Sequence, residues 1–186
     1  MDNKYSTEEK KLLLQLVKDT ISYGLKHHKT MPLELTKFPE PLREKRATFV
    51  TLQIVGQLRG CIGSLLAYQP LVLDLAHNAY AAAFSDPRFM PLTKQEFEQI
   101  EIHISILNEP EPMHFKDEQD LLRQLRPNID GLILSEKGLH GTFLPSVWES
   151  LPNPKDFLEH LKLKAGLPAN YWSDTIHIKR YTVESV

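Results

Sequence analysis

Apolar and polar positions recur with two periods along this chain, and the switches between them mark out its elements. Leu12, Leu13, Leu16, Val17, Thr20 and Ile21 fall at helical spacing behind Ser6 and Glu9, whose three-residue interval is a capping-box signature. They predict an amphipathic helix ending near Gly24 to His28, where cations suit the C-terminal dipole. Met31 to Pro41 holds three prolines and little periodicity, so it reads as a surface loop. Strand character then takes over. Ala47 to Ile54 is rich in β-branched residues, and Val55-Gly56 separates it from Leu58-Arg59-Gly60-Cys61-Ile62-Gly63-Ser64, the second arm of a hairpin. Leu71, Val72, Leu75, Ala76, Ala79, Tyr80 and Ala83 return to helical spacing and stop before Asp86-Pro87, with His77 and Asn78 as surface polar interruptions.

Thr93 and Glu96 form a second capping box that opens a short helix. Ile100, Ile102, Ile104 and Ile106 alternate with Glu101, His103, Ser105 and Leu107, which predicts a strand with one core face and one mainly polar face. That polar face is either solvated or a wall of the cleft that Cys61 lines. Glu109-Pro110-Glu111-Pro112 reads as a stiff connector too short for a domain linker, and Asp117 caps a helix running to about Arg126. Beyond the turn at Pro127 to Gly131, Leu132 to Leu134 and Leu139 to Leu144 form a second hairpin around Glu136-Lys137-Gly138. Asn153-Pro154 starts the last helix, whose stripe is Phe157, Leu158 and Leu161. Lys162 and Lys164 favour its end, and Gly166 caps it with Leu167 in contact. A final strand from about Thr175 to Val183 changes apolar parity, which predicts a bulge near Lys179-Arg180. Hairpin followed by helix occurs before and after Pro112, a hint of two similar halves. The fold class is α+β with mainly antiparallel strands, because short turns join most strand pairs.

Composition narrows the setting. At 186 residues with 41% hydrophobic and 25% charged side chains, one domain is the default for a soluble protein. A net charge of −2 supplies no basic field, and the densest cationic run, Arg43-Glu44-Lys45-Arg46, is interrupted by a carboxylate. Neither nucleic acid nor an anionic membrane is therefore expected as a partner. One cysteine excludes an internal disulfide and a cysteine zinc cluster, which suits a reducing compartment. The opening Met1-Asp2-Asn3-Lys4 lacks an apolar leader, and no window approaches the ~20 apolar residues of a membrane span, so the expected location is cytoplasmic.

The candidate chemistry gathers in the Leu58 to Ser64 arm. Alternation puts Arg59 and Cys61 on one face and Leu58, Gly60 and Ile62 on the other. A guanidinium beside a thiol favours the thiolate, and Gly60 and Gly63 remove side chains that would keep a ligand from the backbone. Asp86 has the chemistry of a turn, with Pro87 presetting the next residue, while Arg88 needs a carboxylate or a ligand anion if it is partly buried. Phosphate-loop, dinucleotide, metalloprotease, paired-cysteine and nucleophile-elbow signatures are missing. Cys61 as a nucleophile would need a base, for which His103 and His140 are available, but spacing places neither beside it. An inert, packed cysteine is the alternative. His27-His28 reads as a solvated pair, since adjacent helical residues do not face one another.

These residues resemble the AMMECR domain family. Leu58-Arg59-Gly60-Cys61-Ile62-Gly63 matches the family's L-R-G-C-I-G hallmark without a change. The resemblance continues through Asp86-Pro87-Arg88-Phe89-Met90-Pro91, the isoleucine strand with Glu101, Gly141-Thr142-Phe143-Leu144-Pro145 with Val147, Lys164-Ala165-Gly166-Leu167, and the terminal strand ending at Glu184. Ser146 stands where many members have Gln. The resemblance implies two related β-and-α subdomains flanking a groove lined by the hallmark, within one AMMECR-type domain. It also implies a bacterial protein of the AmmeMemoRadiSam system, encoded with a Memo-type protein and a radical S-adenosylmethionine enzyme. Arg59, Cys61, Asp86, Arg88 and Glu101 are the implied groove residues. Two expectations follow: a groove that binds or processes a small molecule or peptide, with Arg59 as anion clamp and Cys61 as reactive thiol, or a non-catalytic adaptor. No metal and no cofactor is called for by either.

Overall fold

The structure, a computed structural model, describes residues 4–186. Met1, Asp2 and Asn3, which open the segment expected to lack a leader, lie outside the described residues. The chain divides into two compact units, one running to Leu107 and taking in Glu184–Val186, the other Asn108–Val183.

In the first unit, α1 (Thr7–His27) begins with both halves of the expected capping box: Ser6 Oγ accepts from Glu9 N–H, and the Glu9 carboxylate accepts from Ser6 N–H. Its buried stripe is Leu13, Leu16, Val17, Thr20, Ile21 and Gly24. Leu12, expected in that stripe, is 44% exposed because it lies one residue off the buried arc. Strand β1 (Thr48–Ile54) turns through Val55 and Gly56, both at positive φ, into β2 (Gln57–Gly63). Helix α2 (Leu71–Phe84) packs on this hairpin, and α1 packs on α2. The one-turn α3 (Lys94–Phe97) keeps the second capping box, and β3 (Glu101–Leu107) follows.

The first sheet has the order β2-β1-β3-β8, where β8 is Val183–Ser185. Leu52, Val50, Ile104 and Ile106 point into a core with Leu71, Leu75, Ala79 and the stripe of α1. Asn78, expected on the surface, is 2% exposed. It donates to Thr48 O and Asp74, and Asp74 also accepts from the Thr48 amide and hydroxyl and from Ser64. Every group in this buried network has a partner, which is what its depth demands, and it staples α2 to β1.

The second unit repeats the sequence of hairpin, helix and strand. Strand β5 (Gly131–Glu136) and β6 (Leu139–Phe143) turn through Lys137 and Gly138, again both at positive φ. Helix α5 (Pro154–Lys164) and β7 (His177–Tyr181) follow. Ahead of the hairpin lie β4 (Glu111–Pro112) and the Asp117-capped α4 (Glu118–Gln124), and the sheet order is β4-β7-β5-β6. The acidic connector is thus a connector only at its start, since Glu111–Pro112 pairs with β7. Glu136 is not a turn residue: its buried carboxylate accepts from Tyr171 and Thr175. Lys162, expected to serve the helix terminus, is fully buried, where it donates to Glu118 and the Ala169 carbonyl and lies over Trp172. The terminal parity change has a different cause from the expected bulge. β7 pairs with β5 in unbroken register through Lys179 and Arg180, and Tyr181, on the opposite face from Ile178, is buried there over Gly131 with its hydroxyl against Thr142 and the Phe143 carbonyl. The chain then passes at Thr182 from the second sheet to β8 of the first. Both sheets are antiparallel in the pairings they show, so the α+β class stands. No helix among the described residues is long and apolar enough to cross a membrane.

Candidate functional site on the edge strand

Strand β2 is the edge of its sheet, and its free side is closed at one point. The Cys61 N–H donates to Asp86 Oδ2 at 2.9 Å, and the Cys61 carbonyl accepts from Arg88 Nη2 at 3.1 Å. The turn after α2 thus supplies the two bonds that a neighbouring strand would have made. Asp86 is held in turn by Arg88, whose Nε and Nη2 reach Oδ1 at 3.0 Å and Oδ2 at 2.7 Å and whose amide reaches Oδ1 at 3.1 Å. The Arg88 guanidinium therefore holds the Asp86 carboxyl well below the usual carboxylate range. Burial opposes this shift, and the Cys61 and Arg88 amides reinforce it. The pair is asymmetric: the Asp86 side chain is 2% exposed and the Arg88 side chain 53%.

Arg59 is placed by an irregularity. Leu52 pairs with Gly60 but Gln53 pairs with Leu58, so Arg59 is the extra residue of a bulge. Its Nε and Nη2 bind the Glu96 carboxylate at 2.8 and 3.1 Å, and Nη2 also donates to the Met90 carbonyl at 2.8 Å. This bond from Arg59, with the Thr93 amide second, lowers Glu96 to about 2. Phe89 lies between the two arginines, its ring centre 5.7 Å from the Arg59 guanidinium and 5.6 Å from that of Arg88. Arg59 as anion clamp is corrected accordingly: the anion it holds is the protein's own Glu96.

The thiol side of β2 is the open face of the sheet. Cys61 and His103 both pair with Thr51, so Cys61, Thr51 and His103 form one row across β2, β1 and β3. The Cys61 sulfur, half-buried, sits 3.2 Å from the Thr51 hydroxyl. Glu101 is two residues along β3 from His103 and exposed on that same face, and neither arginine is its partner. His140 belongs to β6 of the second unit, where its Nδ1 lies 3.0 Å from Ser135 Oγ.

The hallmark glycines serve packing. A Cβ on Gly60 would stand 2.2 Å from the Ala82 carbonyl oxygen, so this glycine lets α2 close onto the sheet. A Cβ on Gly63 would meet the Phe49 ring at 2.2 Å. The room they leave is filled by the protein, not held open for a ligand. Sequence reasoning missed Glu96, Thr51 and the Met90 carbonyl. Glu96 was already accounted for by its capping box with Thr93, so nothing along the chain pointed to Arg59. Among the described residues, no three His, Cys, Asp or Glu side chains are grouped to hold a metal ion.

A family model described as AMMECR1 matches residues 14–186. Protein SSO0193 of Saccharolobus solfataricus is 37% identical over 179 residues, covering 92% of this chain and 78% of that protein. A protein of Thermotoga maritima is 41% identical over 149 residues, 78% of this chain and 80% of its own length. The crystal structure of uncharacterized protein PH0010 from Pyrococcus horikoshii superposes with a TM-score of 0.91 at 30% identity, covering 98% of this chain and 93% of that one.

Proposed function

Because this chain belongs to the AMMECR1 family, we propose that its L-R-G-C-I-G strand and the Asp86 to Phe89 turn form a site that binds or processes a small molecule or peptide, with Cys61 as the reactive group. The observation that supports this most is the two-sided hold on the Cys61 backbone, by Asp86 on the amide and Arg88 on the carbonyl. A cysteine that only fills space needs no such fixing, whereas a group that meets a ligand gains from a main chain locked by charged partners. With Arg59 engaged by Glu96, the half-exposed Arg88 is the cation of the site with a free edge to offer an anionic part of the ligand. The Cys61 amide is taken by Asp86, so oxyanion stabilisation by that N–H is no part of the reading. Work alongside a radical S-adenosylmethionine enzyme and a Memo-type protein belongs to the same proposal, on the strength of the sequence resemblance.

The test is the pH dependence of Cys61 alkylation in the folded protein, where one thiol makes the readout unambiguous. Rapid reaction well below the ordinary thiol value of about 8.5 supports the reading. Reaction only on unfolding refutes the role of Cys61. The second reading, a non-catalytic adaptor, is favoured by Leu66 and Tyr68, 73% and 58% exposed in the loop after β2. Co-purification that survives Cys61→Ser and is lost on Leu66→Ser with Tyr68→Ser would select it.

A further inference from the structure

The second sheet carries a row that the proposed function does not use. Ser135 on β5 pairs with His140 on β6 and with His177 on β7, so the three side chains lie on one face with the hydroxyl in the middle. Both histidines are exposed. Cross-strand neighbours stand about 5 Å apart, which puts the two imidazoles on either side of a small residue that leaves the space above it clear. The His140 ring is already inclined over that middle position, its Nδ1 3.0 Å from Ser135 Oγ. With Nδ1–H donating to Oγ, Nε2 keeps its lone pair, the form of imidazole that ligates metals.

We propose that His140 and His177, with Ser135 as the outer-shell partner of His140, form an open site for a late first-row divalent cation of the zinc or nickel class. Imidazole suits these ions and the Irving–Williams order favours them over magnesium or calcium. Two protein ligands leave the remaining coordination to water, so binding is reversible and exchangeable. Lys179 shares this face two residues along β7 from His177, and its long stem lets its ammonium turn away into water.

The experiment is calorimetric titration of the full chain with nickel and with zinc chloride, repeated on Cys61→Ser so that the thiol does not compete. One saturable site is expected in both proteins. His140→Asn and His177→Asn should each abolish it, and Ser135→Ala should weaken it about tenfold by releasing the His140 ring. Thermal melts of these surface variants should match that of the parent. Absence of saturable binding, or binding that survives either histidine substitution, overturns the proposal. Alkylation of Cys61 is a separate readout, so failure here leaves the reading of the first unit to its own test.

Discussion

The two units are built from the same parts and use them differently. In each, a glycine on the second hairpin strand faces the following helix and pairs with a fully buried leucine, Gly60 with Leu52 and Gly141 with Leu134. In each, a buried aspartate at a turn is gripped by an exposed arginine: Asp86 by Arg88, and Asp130 by Arg126, whose Nη2 lies 2.6 Å from Oδ1. Asp130 spends its side chain on Arg126 alone, closing the turn that leads into β5, while its carbonyl accepts from Trp148. Asp86 reaches beyond its own turn to the amide of Cys61 on β2. The row beside the helix-facing glycine diverges as well, Cys61–Thr51–His103 in one unit and Thr142–Ile133–Lys179 in the other. One architecture thus supplies stability twice, and only the first copy turns its aspartate into a clamp on the backbone of an edge strand.

The glycines should separate the units most strongly. Gly60→Ala drives a methyl into the Ala82 backbone, which a side-chain rotation cannot relieve, and should cost about 3 kcal/mol. Gly141→Ala meets its nearest neighbours only at 3.0 to 3.1 Å and should cost about 1 kcal/mol. Urea unfolding of the two variants tests this, and equal losses would mean that the helices sit equally close.

The aspartates come next. Asp86→Ala leaves the Cys61 amide without its acceptor and should cost about 2 kcal/mol. Asp130→Ala should destabilise by a similar amount through its own turn. The comparison is sharpened by alkylation: Cys61 should react faster in Asp86→Ala, whose edge strand is released, and at the parent rate in Asp130→Ala. Equal rates in all three proteins would deny Asp86 its role as a clamp.

The smallest effect is an acid one. The Arg59 guanidinium holds the Glu96 carboxyl down at about 2 in the folded chain against its ordinary value of 4.5, so its pairing with Arg59 contributes fully above 4.5 and is lost as pH falls from there toward 2. Asp86, also lowered, acts in the same direction. Glu96→Gln should therefore flatten part of the fall in urea midpoint between about pH 5 and about pH 3. An unchanged slope would show that the Arg59 pair does not carry that acid sensitivity.

Much of this was legible along the chain. The capping boxes at Ser6 and Thr93, the two hairpins, the Gly166 cap and the alternation of β3 are local patterns, decided by residues within a few positions of each other, and the sequence alone determined them. The family resemblance marked Arg59, Cys61, Asp86, Arg88 and Glu101 together as candidates. Only the tertiary structure decided which groups those residues meet. The Arg59–Glu96 pair spans 37 positions and the Asp86 bond to Cys61 spans 25, and no periodicity encodes a partner at such distances. Burial of Asn78, Glu136 and Lys162 escaped sequence reading for the same reason: a polar side chain is admitted to the interior only when partners from other elements satisfy it, and those partners exist only once the chain has folded.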